Sequence, residues 1–192
     1  MRGILLILSL IPLLAGCGPQ NTPLFDSFKS DGFGFEVTVP EDMGEAGWAI
    51  IHARDATVVH AFSPPDSSTW EPVAVVVPPG SLFPLLSPVF IDVFNIKDPT
   101  LSPGALADLR AARVGDRVLK RTTFVEDGVT LAQIVHGTGD DLNYETYAVG
   151  NGLGYAFLAQ GAPDTSRTAS SFHVDSGAYE RITRSLRLFS PR

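Results

Sequence analysis

Four strand-like segments follow one another in the C-terminal half of the chain, and this run constrains the fold more than any other feature. The segments span residues 118–125, 129–136, 142–149 and 153–160, and β-branched and aromatic residues are concentrated in them. Asp127-Gly128 and Asn151-Gly152 tolerate the positive φ angles of two-residue hairpins. Residues 137–141 are rich in Gly and Asp and supply the third turn. The pattern predicts an antiparallel β-meander.

One helix is predicted before this meander and one after it. Ser102 can cap the first helix, Pro103 suits its first turn, and the helix should run to about Arg113 and end before Gly115. Ser176 can cap the second. Its apolar residues recur at helical intervals, and they are Tyr179, Ile182, Leu186 and Phe189. Residues 186–189 fit an extended segment equally well.

The last strand of the meander suggests where the C-terminal helix lies. Leu153, Tyr155 and Phe157 share one face of this strand, and Gly154 and Ala156 lie on the other. Because Gly154 and Ala156 are small, we expect the helix to pack against their face.

The N-terminal half of the domain adds further strands. Residues 32–39 alternate between apolar and polar and stop at Pro40, and shorter candidates cover residues 48–52, 57–62, 73–77 and 89–95. Strands therefore dominate, with one internal and one C-terminal helix packed on them. The predicted class is α+β with a largely antiparallel sheet, formed by residues 31–192 as a single domain.

Three stretches together resemble the PsbP-like family. They are Phe35-Glu36-Val37-Thr38-Val39-Pro40 followed by Trp48, the β-meander, and the closing Ile182-Thr183-Arg184-Ser185-Leu186-Arg187. The resemblance covers most of residues 30–190. It implies an antiparallel sheet between helices, and a protein that binds partners or helps to assemble complexes without catalysis.

The N-terminus has the pattern of an export signal. Arg2 precedes an apolar run over residues 4–14, which is too short to span a hydrocarbon core of roughly 30 Å. The run ends in Leu14-Ala15-Gly16-Cys17, which resembles the lipobox of bacterial lipoproteins. The resemblance implies removal of a signal peptide of residues 1–16, and lipidation of Cys17 on sulfur and by a fatty acid such as palmitate on its amino group. Residues 17–30 would then form a lipidated tether, and the domain would face the periplasm or the extracellular side of a bacterial membrane.

Cysteine usage and charge agree with that expectation. Cys17 is the one cysteine among 192 residues, so no intramolecular disulfide is available. The formal net charge of −7 disfavours binding to nucleic acid and to anionic lipid headgroups. We therefore expect no nucleic-acid partner, and contact with the bilayer through acylated Cys17 alone.

No catalytic or metal-binding motif stands out. The four histidines are His52, His60, His136 and His173, and none has the spacing of a metal site. His52 and His60 could meet across a hairpin with Asp55, but two unrelated histidines are the simpler interpretation. The glycines of residues 150–154 fit a hairpin better than a phosphate loop, and no Gly-x-Ser-x-Gly elbow exists. We predict no cofactor and no metal.

The apolar, proline-broken stretch of residues 81–90 is a candidate partner-binding loop. It would present Leu82, Phe83, Leu85 and Leu86 to a partner, a ligand or the bilayer. Alternatively, it folds back as a lid over the open end of the sheet.

The sequence thus predicts a membrane-anchored bacterial envelope lipoprotein that binds or scaffolds another envelope component, and it favours a non-enzyme over an enzyme. The expected partner is an envelope protein. A small-molecule or lipid carrier is one alternative, and a hydrolase with a site built from loops is another. A cluster of titratable groups in one cleft would favour the hydrolase, and a large apolar cavity would favour the carrier.

Overall fold

The structure is a computed structural model that describes residues 25–45, 47–55, 62–67, 69–77, 89–139, 141–161, 174 and 176–192. Three helices and ten strands are found in these ranges. The helices are α1 (Glu41–Glu45), α2 (Pro103–Val114) and α3 (Ser176–Arg184). The strands are β1 (Ser27–Ser30), β2 (Phe35–Thr38), β3 (Ala49–His52), β4 (Trp70–Val77), β5 (Val89–Asn95), β6 (Val118–Glu126), β7 (Val129–Thr138), β8 (Asp141–Gly150), β9 (Leu153–Gly161) and β10 (Arg187–Leu188).

The strands form two antiparallel sheets. The large sheet has seven strands in the order β3-β4-β5-β9-β8-β7-β6, and the small sheet has three in the order β1-β2-β10. Helix α2 packs on one face of the large sheet, whereas α3 and the small sheet contribute to the core on the other face. The predicted α+β class with a largely antiparallel sheet is confirmed.

The meander has the predicted order and turns. Strands β6 to β9 pair consecutively, and the predicted segments differ from them by at most a few terminal residues. Both hairpin dipeptides have positive φ at each residue, with 47° and 81° at Asp127 and Gly128 and 55° and 75° at Asn151 and Gly152. These values match the two-residue turn that twists in the same sense as its flanking strands.

Helix α2 begins and ends as predicted. The Ser102 side chain accepts a hydrogen bond from the backbone N–H of Ala105 at 3.1 Å, and Pro103 occupies the first turn. The helix stops at Gly115, whose φ of 63° suits a residue without a side chain. Leu106 and Ala107 on its inner face are buried against the large sheet.

Helix α3 packs on the face of β9 opposite to the one predicted. Its buried Tyr179 and Ile182 share a core with Tyr155 and Phe157, and the Tyr179 hydroxyl donates to the Phe157 carbonyl at 2.8 Å. Ala156 instead faces the core beneath α2. The prediction was wrong because it assumed that a helix needs small residues beneath it, whereas α3 packs on large aromatic residues.

The space above Gly154 is filled from within the sheet. Gly154 lies opposite Phe94 of β5, and a Cβ added to Gly154 would lie 2.3 Å from the Phe94 ring. The small residue therefore accommodates a cross-strand aromatic ring and not a helix.

The small sheet confirms one predicted strand and adds two short ones. Phe35, Val37 and Val39 are buried as the alternation indicated. The predicted tether of residues 17–30 is too long at its C-terminal end, because Ser27–Ser30 pair with β2 and belong to the folded part. Residues 186–189 include the short strand β10, so the extended alternative applies there.

Two predicted strands in the middle of the chain differ in outcome. Residues 73–77 lie inside β4, which starts earlier at Trp70 and includes a register shift between Pro72 and Ala74. Such an irregularity accommodates a proline, which cannot donate to the ladder. Residues 57–61 of the predicted segment 57–62 lie outside the described residues.

Within the part of the chain that is described, no helix is long and apolar enough to cross a membrane.

Candidate functional site

A cleft of about 160 Å³ lies at one end of the large sheet. The end of β5 and the starts of β4 and β9 form its floor, and the turn between β1 and β2 contributes one wall. Its lining residues are Phe33, Thr69, Trp70, Glu71, Val93, Phe94, Asn95 and Leu153. Phe33, Trp70 and Leu153 are half-buried, whereas Thr69, Glu71 and Asn95 are exposed. The cleft thus combines apolar walls with a polar rim.

Strand register explains how these side chains come together. Glu71 pairs with Val93, and Asn95 pairs with Leu153, so all four lie on the sheet face that the small sheet partly covers. The β1–β2 turn is held over this end by Tyr155, whose hydroxyl donates to the Phe33 carbonyl at 2.6 Å. Burial raises the pKa of the Tyr155 hydroxyl, which favours the protonated, donating form.

The size of the cleft limits what it can hold. Drug-sized ligands occupy pockets of roughly 300–1,000 Å³, so this cleft is too small for an acyl chain or a typical cofactor. Its volume and the apolar side chains of Phe33, Val93 and Leu153 suit one apolar side chain of a partner protein, the kind of anchor that dominates many protein interfaces. The Glu71 carboxylate at the rim would favour a basic residue beside that anchor.

A second polar cluster lies between α2 and the large sheet. Arg110 projects from α2 onto Glu145 of β8, with its Nη2 2.7 Å from Oε1 and its Nε 2.8 Å from Oε2. His136 Nε2 lies 2.8 Å from Oε1, and the Tyr147 hydroxyl donates to Oε2. An ionised carboxylate only accepts, so each of the three neighbouring side chains donates to Glu145.

The electrostatics of this cluster keep Glu145 ionised. Burial by itself would raise the pKa of Glu145, but hydrogen bonds from His136 and Arg110, together with the Arg110 charge, lower it to about 2. Burial is the main cause that raises the pKa of Tyr147 well above its ordinary value, and the Glu145 charge adds to it. The cluster is therefore a charged pair with a tyrosine that stays protonated.

This cluster is closed to a substrate. Glu145, His136 and Tyr147 are 4%, 7% and 0% exposed, and both carboxylate oxygens are already engaged by three donors. A hydrolytic site needs its acid–base groups within reach of a bound substrate. The arrangement instead ties α2 to the sheet, because Arg110 of the helix donates to a buried carboxylate of β8.

The residues singled out from the sequence are distributed as follows. Cys17, His60, His173 and the loop residues Leu82, Phe83, Leu85 and Leu86 lie outside the described residues. His52 ends β3 and packs edge-on against Phe25 and Phe28. Among the residues with described positions, no group of three or more His, Cys, Asp or Glu side chains is placed to hold a metal ion.

Sequence reasoning missed both the cleft and the Arg110–Glu145 pair. The pair had a visible signal, because Arg110 lies four residues after Leu106 and three after Ala107, on the stripe that the helix buries. A charge on such a stripe requires a partner. The cleft had no comparable signal, since Trp70 precedes the strand irregularity at Pro72 and Phe33 comes from a distant hairpin.

The layers of sheets and helices define the fold class of the protein. A seven-stranded antiparallel sheet, with one helix on one face and a helix plus a small sheet on the other, is a PsbP-like α+β fold. The chain is similar to the solution structure of cyanobacterial PsbP (CyanoP) from Synechocystis sp. PCC 6803, with a TM-score of 0.52 and 14% identity. The match covers 92% of this chain and 99% of that one, and at this identity it concerns the fold. No family model matches the chain, and no curated protein matches it.

Proposed function

We propose that the protein is a lipid-anchored bacterial envelope protein that binds another envelope protein through the cleft at the sheet end, without catalysis. The observation that carries the binding function is the cleft itself, where Phe33, Val93 and Leu153 line a space for one apolar side chain. Glu71 and Asn95 at the rim can fix the orientation of the partner.

The anchor is proposed from the N-terminal sequence. Leu14-Ala15-Gly16-Cys17 follows the apolar run as a lipobox does, and Cys17 would carry the acyl chains. One chain gives marginal membrane binding, whereas two or more hold a protein firmly on a bilayer. The net charge of −7 leaves the folded domain without attraction for anionic headgroups, so the domain stays available to a protein partner.

The resemblance to PsbP-like proteins supports the non-catalytic part of the proposal, since it implies partner binding or complex assembly. The two rival functions have less support from the described residues. The buried cluster around Glu145 has no access for a substrate, which weighs against a hydrolase using it. The cleft of about 160 Å³ is too small for a lipid, which weighs against its use by a carrier.

Site-specific photo-crosslinking in intact membranes tests this function. A benzophenone amino acid at Asn95, on the rim of the cleft, should give a discrete adduct with an envelope protein identified by mass spectrometry. Asp98, also exposed and three residues further on, is the control position outside the cleft and should give no such adduct.

Two variants make the crosslinking result specific. Glu71→Lys changes an exposed rim charge, and Leu153→Glu places a carboxylate on the apolar floor. Both should remove the Asn95 adduct while the thermal transition of the Glu71→Lys protein is unchanged. Absence of an adduct at Asn95, the same adducts at Asp98, or an adduct that persists in both variants would contradict the proposed site.

A further inference from the structure

Strand β6 is an unusually open edge of the large sheet. It is nine residues long and pairs with β7 on one side only. Leu119 and Val125 on this strand are 60% and 65% exposed, and residues 120–123 are exposed as well. Proteins usually cover or shorten such an edge, because its free backbone groups can pair with another strand.

The opposite edge of the same sheet is covered. Phe25 forms a bridge with Ile50 of β3, with backbone N···O distances of 2.9 and 2.7 Å in the two directions. Phe25 therefore occupies the free side of β3 at Ile50. Within the described sheet, β6 is the edge that remains available to another molecule.

We propose that β6 pairs in antiparallel register with β6 of a second copy of this chain, about a two-fold axis at Thr123. A two-fold axis perpendicular to the sheet keeps the α3 side of both copies on the same face, which requires one residue to pair with itself. The register then places Thr123 opposite Thr123, Thr122 opposite Phe124, and Lys120 opposite Glu126. The joined sheet has fourteen strands, twice the seven of one copy.

The chemistry of these cross-strand pairs favours a second copy of the chain as the partner. Thr–Thr, aromatic–β-branched and opposite-charge pairs are the combinations that stabilise antiparallel neighbours. The regular part of β6, from Lys120 to Glu126, supplies all three in one register, and the irregularity at Leu119 lies outside it.

Charged side chains beside β6 also fit the proposed β6–β6 pairing. Glu126 accepts a hydrogen bond from Arg184 at 2.7 Å, and Lys120 lies 3.7 Å from Glu180. In the dimer, Lys120 of one copy would meet Glu126 of the other, so positive and negative side chains alternate along the seam. Each copy carries a formal charge of −7, so long-range repulsion must be screened. At about 0.15 M salt the screening length is about 8 Å, short enough for the local pairs to decide.

Cysteine crosslinking of the full-length protein in membranes tests the register. Thr123→Cys should give a crosslinked dimer with a short bismaleimide, because the two side chains meet at the axis. One control is Thr130→Cys, which replaces an exposed threonine on β7, the strand next to β6. The other is the unmodified chain with its native Cys17. Equal crosslinking of both variants, no dimer at Thr123→Cys, or crosslinking only to a different protein would overturn the proposal.

Charge exchange tests the pairing itself. Lys120→Glu alone and Glu126→Lys alone each place like charges at both ends of the seam, and each should weaken self-association about tenfold or more. An equimolar mixture of the two variants restores opposite charges at both ends, so it should form a heterodimer by sedimentation velocity. If the mixture stays as monomeric as each variant alone, or if each variant dimerises like the wild type, the proposed register is wrong.

Discussion

Arg110 and Glu145 join a helix to a strand through a two-pronged ion pair. The Arg110 Nε lies 2.8 Å from one Glu145 oxygen, and Nη2 lies 2.7 Å from the other. The Glu145 side chain is 6% exposed and that of Arg110 is 22% exposed, so the pair is shielded from water on the Glu145 side. Such a geometry makes the position of α2 depend on one carboxylate.

Replacing this carboxylate should be costly. Glu145→Gln keeps the shape of the side chain but leaves Arg110 without its counter-charge. Removing one partner of a buried pair typically costs ~3–5 kcal/mol, and the partial exposure of Arg110 should bring the loss to about 2–3 kcal/mol. Urea denaturation of the two proteins measures this loss in the free energy of unfolding. Asp42→Asn, which breaks the exposed Arg181–Asp42 pair, is the control and should change the free energy of unfolding by at most about 1 kcal/mol. Equal losses in the two variants would mean that the buried pair has no special role.

Acid should weaken the fold through the same residue. The folded-state pKa of Glu145 is about 2, below its ordinary 4.5, so its stabilisation is fully present above pH 4.5 and is lost as the pH falls towards 2. The difference corresponds to on the order of 3 kcal/mol. Free energies of unfolding measured between pH 6 and pH 2.5 should fall less steeply for Glu145→Gln than for the wild type. Parallel curves would show that another carboxylate controls acid stability.

The strand and helix boundaries could be predicted because they depend on local chemistry. Alternation, the Asp127-Gly128 and Asn151-Gly152 turns, and the Ser102 cap are all contained in short stretches of sequence. The choice of face for α3 could not be predicted in this way. It depends on whether the room beside Gly154 is filled by a helix or by the Phe94 ring of another strand, and that is decided by long-range pairing.

Gly154→Ala tests the corrected role of this glycine. The added methyl group would meet the buried Phe94 ring, which must shift. Overpacking of this kind typically costs ~1–3 kcal/mol. Gly32→Ala, where no heavy atom lies within 4 Å of the new Cβ, is the matched control and should leave the denaturation midpoint close to that of the wild type. If Gly154→Ala is as stable as the control, the close approach of Phe94 is not a constraint.

Helix α3 should contribute to stability through its buried face alone. Ile182 is 0% exposed, and truncation of a buried isoleucine to alanine typically costs ~2–5 kcal/mol. Ile182→Ala should therefore lower the midpoint of chemical denaturation strongly. Arg181→Ala, on the exposed face next in sequence, should have little effect. Similar effects of the two substitutions would place the wrong face of α3 in the core.

The candidate site was less accessible to sequence reasoning than the fold. Phe33, Trp70 and Leu153 come from three separate parts of the chain, and only the pairing of β4, β5 and β9 brings them to one end of the sheet. No short stretch of the sequence predicts that these residues lie close together. The N-terminal Leu14-Ala15-Gly16-Cys17 is the reverse case, since its proposed role depends on contiguous residues and can be tested without the fold.

The mass of the mature N-terminus, measured on protein extracted from its own membranes, tests the proposed anchoring most directly. We expect a chain that starts at Cys17 and carries a thioether-linked lipid on sulfur with a fatty acid such as palmitate on the new amino group. A Cys17→Ser variant should lose the lipid and leave the membrane fraction, because the acidic domain has no other attraction for the bilayer. A wild-type protein with a free Cys17 thiol and no lipid would contradict the proposed anchoring.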